Sequence, residues 1–165
     1  MSEYASPFVK DFISRTNKII QNYNEEYDAT ILLNGLLGML VIPFEKHPHI
    51  FDSHSASSEI TRLFAELEKN NRYNSFGRCY AAYDIIRILR NAIAHFNVMP
   101  VSENGNVWGF AFSSYEVNKE CQITGEVCRF KNEYVRNARK NFSCKMSIEE
   151  IKVLASIINE QVAML

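Results

Sequence analysis

Between Tyr80 and His95 the chain separates into two faces. On a helix of roughly 100° per residue, Tyr83, Arg87, Tyr80, Asn91, Asp84 and His95 fall within about 140° of Arg90, joined only by Ala94. Ile88, Ala81, Ala92, Ile85, Leu89, Ala82, Ile93 and Ile86 fill the opposite arc. An aliphatic face of that kind belongs in a core, so other elements must cover it. The segment reads as a helix from about Phe76 to Phe96, ended before Pro100.

The covering elements are legible too. Ser6 and Pro7 are placed to open a first helix as N-cap and first helical residue. Phe8, Phe12, Ile13, Ile19, Ile20 and Tyr23 then recur at helical spacing. Asp28 caps a second helix, Ala29 to Ile42, apolar nearly all round and expected to lie centrally, with Pro43 as its stop. Its apolar run carries Asn34 and two glycines and is short for a bilayer span. Residues 43–58 read as a loop. Ser57 or Ser58 opens a third helix to about Lys69, with Ile60, Leu63, Phe64 and Leu67 inward. Ser147, Ile148, Glu149 and Glu150 form a capping box for the last helix.

One stretch breaks the helical period. After the tight turn Asn104-Gly105-Asn106, Trp108, Phe110 and Phe112 alternate with small residues. Residues 107–131 therefore read as a small antiparallel hairpin or meander between the motif helix and the last helix. The fold class is mainly α: a helical bundle with a β appendage, in one domain over 1–165. A length of 165 residues, 47% hydrophobic and 22% charged, suits one folded domain with its own core. No secretory leader opens the chain, and a cytoplasmic protein without membrane attachment is expected. Cys79, Cys121, Cys128 and Cys144 show no C-x-x-C pair and no zinc spacing, so they read as reduced thiols.

A net charge of −1 excludes a bulk polyanion binder but conceals a polarised chain. Residues 71–100 hold four arginines against one aspartate, a surplus of +3. Residues 129–145 hold Arg129, Lys131, Arg136, Arg139, Lys140 and Lys145 against Glu133, a surplus of +5. Phe130, Tyr134 and Phe142 interleave the second stretch. Arg136, Arg139 and Lys140 are thus candidate single-strand RNA contacts, with a plain solvated face as the other reading. His47, His49, Asp52 and His54 share the expected loop, but its poor preorganisation argues against a metal site, and neither metal nor cofactor is expected.

The polar face around Arg90 is unusual in composition. A merely solvated face favours Lys and Glu, and neither occurs between Phe76 and Phe96. Arg, Asn, His and Tyr instead bind phosphate, stack on bases or move protons near neutral pH. A helix–helix or subunit contact is the alternative use of such a face.

The run Leu89-Arg90-Asn91-Ala92-Ile93-Ala94-His95 resembles the R-x4-H motif of the HEPN superfamily, helical bundles that carry the motif late in a long helix. Phe12 to Thr16, Ile31 to Leu40 with Pro43, Gly105 to Phe110 and the capped last helix are similar to a plasmid-associated bacterial subgroup. The resemblance implies a metal-independent endoribonuclease whose composite site forms across a homodimer. RNA brings its own nucleophile, the 2′-OH. His95 would move protons, Arg90 would stabilise charge on the phosphate, and Asn91 would orient the phosphate or His95. Products would be a 2′,3′-cyclic phosphate and a 5′-hydroxyl. Arg87, Tyr83 and Tyr80 would hold RNA by charge and stacking. A toxin, abortive-infection or mobile-element defence role is implied, with an antitoxin or regulatory protein as a further partner. The tyrosine that some HEPN toxins carry two residues after the histidine is Asn97 here, so regulation through its modification does not transfer. The alternative is a non-catalytic dimer binding a nucleotide or RNA with the same face.

Overall fold

A computed structural model describes residues 5–23, 29–52, 54–117, 127–130, 133–136 and 138–165. The helices are α1 (Ala5–Gln21), α2 (Ala29–Lys46), α3 (His54–Lys69), α4 (Ala82–Ala94) and α5 (Ile148–Ala163), with a short 3-10 helix at Pro48–Asp52. The strands are β1 (Tyr73–Asn74), β2 (Val98–Glu103), β3 (Asn106–Val117), β4 (Val127–Phe130), β5 (Glu133–Arg136) and β6 (Ala138–Ser147). The fold is mainly helical with an antiparallel sheet ordered β1-β6-β3-β2, and β4 and β5 pair separately.

The central place expected of α2 is where it lies: it packs against α1, α4 and α5. Leu32, Leu36, Met39 and Leu40 are buried, and Phe12 and Ile20 of α1 approach closely over Gly38 and Gly35. Among the described helices α2 is the one long and apolar enough to cross a membrane. The aliphatic face of α4 enters the same core, with Ile85, Ile86, Ile88, Leu89, Ala92 and Ile93 buried.

Several boundaries differ from the sequence expectation. Ser6 and Pro7 lie inside the first turn of α1 rather than at its cap, and a proline there forfeits no helical bond. The cap expected at Asp28 lies outside the described residues. Pro43 does not end α2: the helix runs on to Lys46, and the His47 N–H donates to the Pro43 carbonyl at 2.7 Å. Proline forfeits its own N–H bond and crowds the carbonyl four residues back, yet the helix continues through Pro43, which is buried. The loop expected over 43–58 is instead the last turn of α2, the 3-10 helix and the first turn of α3. His47 lies between α2 and the 3-10 helix, His49 within that helix and His54 at the start of α3, and among the described residues no cluster able to hold a metal forms.

The sheet is larger than the expected 107–131 appendage. The Asn104-Gly105 turn joins two strands, with φ of 51° and 87°, and β2 precedes it. Both turn residues take the left-handed conformation that a tight hairpin needs. Pro100 lies within β2, which tolerates it as an edge strand. The Ser113 N–H donates to the Asn97 carbonyl at 3.0 Å, which sets a phase that turns the Pro100 nitrogen off the sheet. Phe110, Phe112, Phe142, Cys144 and Met146 form the sheet's buried face. Burial pushes the Cys144 thiol up and the Tyr73 phenol up to about 12.

Gly109 is required where β3 meets β6. A Cβ there would strike the Met146 carbonyl oxygen and come within 2.7 Å of Ser147 Cα, both backbone atoms. Gly109→Ala is therefore expected to cost roughly 3 kcal/mol or more, because neither strand can yield without losing ladder bonds. Chemical denaturation measures it, and an unchanged midpoint would refute the close approach.

Candidate active site

The polar face of α4 forms as the helical spacing demands from Tyr83 onward. Its start does not. Phe76 and Gly77 take φ of 53° and 80°, which no helix contains, so the helix begins at Ala82 rather than near Phe76. Tyr80 consequently leaves the Arg90 face. Its hydroxyl donates to the Asn141 carbonyl of β6 at 3.1 Å, and its ring meets Phe142 edge-on at 6.1 Å. Burial raises its pKa above that of a free phenol.

Arg90 is held on three sides. Its Nη1 donates to Asn91 Oδ1 at 3.2 Å, its Nη2 bonds the Glu45 carboxylate, and its guanidinium lies 5.6 Å from the centre of the Phe44 ring. Phe44 in turn stacks on Tyr83, with ring centres 4.9 Å apart. Among the described residues these contacts engage two of the five guanidinium N–H donors. Glu45 and Phe44 were not anticipated, because they lie on the turn of α2 that Pro43 was expected to abolish. That the residues after Pro43 keep a helical spacing with Leu36 to Leu40 is the signal that would have found them.

Arg87 is exposed and paired with Asp84 at 3.0 Å. His95 caps the C-terminus of α4 and is half-buried, its N–H donating to the Asn91 carbonyl at 3.0 Å. Among the described residues Arg90 bonds Asn91 and Glu45 but not His95. Five residues of helix separate Arg90 from His95, about 7.5 Å of rise and roughly 140° of turn. A single group lying against this end of α4 can reach both only from outside the helix.

Of the basic stretch, Lys140 is described: its ammonium lies 5.6 Å from the centre of the Tyr115 ring. Arg136 closes β5 and Arg139 pairs with Glu116 across β3 and β6, but their side chains lie outside the described residues. Phe130 and Tyr134 lie on the β4–β5 pair, apart from the four-stranded sheet.

A helical bundle that carries Arg90 and Asn91 on the helix that His95 ends is the arrangement the HEPN resemblance implies. The family model described as HEPN pEK499 p136 matches residues 1–163, and the chain belongs to that HEPN family. Comparison with curated proteins and with solved structures yields no match. Membership supports a nuclease or binding role of the HEPN kind.

Proposed function

We propose that the protein is a metal-independent endoribonuclease with a composite site formed by two copies. The observation that carries this reading is the immobilised Arg90 guanidinium on the helix that His95 ends. Attack by the ribose 2′-OH on the adjoining phosphorus needs a proton removed there and one supplied to the departing 5′-oxygen. One imidazole is in only one protonation state at a time, so a second copy's His95 supplies the other transfer. Arg90 neutralises charge as it grows on the non-bridging oxygens. Asn91 fixes Arg90 from its own helix, while Arg87 and Tyr83 flank the strand.

The test is incubation of the purified chain with RNA in EDTA, followed by mapping of the cleaved ends. Cleavage leaving 2′,3′-cyclic phosphate and 5′-hydroxyl ends, absent in His95→Ala, is the expected outcome. Cleavage by His95→Ala at the parental rate would end the assignment. A toxin or defence role is the one the HEPN resemblance implies, and expression should then arrest growth in a His95-dependent way.

The basic stretch is assigned to strand binding. Replacing Arg136, Arg139 and Lys140 together by Ala should weaken RNA binding and reduce its salt slope by about 2–3, one phosphate contact per cation. An unchanged slope removes this surface from the reading.

A further inference from the structure

Helix α4 ends in a left-handed turn that a glycine would ordinarily make. The Asn97 N–H donates to the Ala92 carbonyl at 2.8 Å and the Phe96 N–H to that of Ile93 at 3.0 Å, with Phe96 between them at φ 56°. That residue is the position where helices favour Gly, and a side chain there is strained by roughly 1 kcal/mol. Four described non-glycine residues have positive φ: Asn71, Phe76, Phe96 and Asn104. Asparagine tolerates this conformation, and Phe76 is only 38% exposed, whereas Phe96 is 72% exposed. The Phe96 ring therefore recovers little of its backbone strain within one chain.

We infer that Phe96 is a stacking platform for a nucleobase of the bound strand, adjoining the phosphate that faces Arg90 and His95. The inference rests on the ribonuclease reading. Phe96 directly follows His95, so a phosphate against the end of α4 places a neighbouring base beside the ring. The ring thus adjoins the end of α4, where the ribonuclease reading seats the strand. Stacking accepts any base, so Phe96 adds affinity without strong sequence preference.

Phe96→Gly separates the two halves of the inference. Relief of the strained turn leaves the melting temperature equal to or above that of the parent chain. Loss of the ring weakens binding of a short 2′-O-methyl RNA, which cannot be cleaved, on the order of tenfold or more. Phe96→Trp restores binding. An abasic site at the stacked nucleotide weakens the parent chain but not Phe96→Gly. Equal binding by Phe96→Gly and the parent overturns the stacking role alone. A melting temperature several degrees lower overturns the strain argument. Dissociation of a dimer by Phe96→Gly, seen in sedimentation velocity, reassigns the ring to a contact between copies. Failure of the unsubstituted chain to bind the RNA overturns this inference together with the ribonuclease reading.

Discussion

Arg90→Ala should reduce single-turnover RNA cleavage by about a thousandfold while leaving the unfolding transition within a few degrees of the parent. The asymmetry follows from where the side chain sits. Its exposure is 28%, and the Glu45 carboxylate it would abandon is 52% exposed, so water can take over that partner. A phosphate gaining negative charge in the transition state has no comparable substitute. Arg90→Lys keeps the charge but not the planar fork, and its activity should remain far below the parent. Glu45→Gln keeps an acceptor on the guanidinium and should retain most activity, whereas Glu45→Ala frees Arg90 to rotate and should lose about tenfold. Parental cleavage by Arg90→Ala would remove the guanidinium from the site.

What was legible in the sequence is local. The two faces of α4 need only a period of 3.6 residues, and the box at Ser147 needs only a residue type and its third neighbour. The motif Arg90, Asn91 and His95 is contained in six consecutive positions, so the helix carried it intact into the fold. The misplacements arose where a strong local signal met a tertiary context that outweighed it. Pro43 stops a helix in isolation, but here, buried, it lets the helix continue and bring Phe44 and Glu45 under Arg90. Pro100 disfavours a strand except on an edge, and nothing in the sequence says which strand is the edge. Tyr80 satisfied the helical wheel but not the helix, since the Phe76-Gly77 turn delays its start.

Residues far apart in sequence also meet at Glu150, whose loss should destabilise the fold by about 2–3 kcal/mol. The Arg72 guanidinium donates to both carboxylate oxygens at 2.5 and 2.6 Å, with the two side chains 23% and 22% exposed. Glu150 also accepts the Ser147 N–H at 2.8 Å, while the Glu150 N–H donates to Ser147 Oγ at 3.1 Å, so it closes the cap of α5. Arg72 lies 5.5 Å from the centre of the Trp108 ring, and its carbonyl accepts the Lys145 N–H at 2.7 Å. One carboxylate thus ties the segment after α3, the sheet and the start of α5 together. Burial works against its ionisation, but Arg72 and the Ser147 donors outweigh that and hold its pKa below that of a free carboxylate. A pKa lower in the folded than in the unfolded chain stabilises the fold at pH values above the unfolded one. That contribution is lost as pH falls through the folded value. Glu150→Ala should therefore lower the melting temperature at neutral pH by roughly 5–10 °C, and the gap to the parent should narrow as the pH falls below the ordinary carboxylate range. Glu150→Gln keeps an acceptor for Ser147 but loses the charge, and its deficit should fall between the two at neutral pH and shrink likewise in acid. Calorimetry across that range decides it. A gap independent of pH would mean that Glu150 acts through the cap alone, with the Arg72 pair contributing nothing to stability.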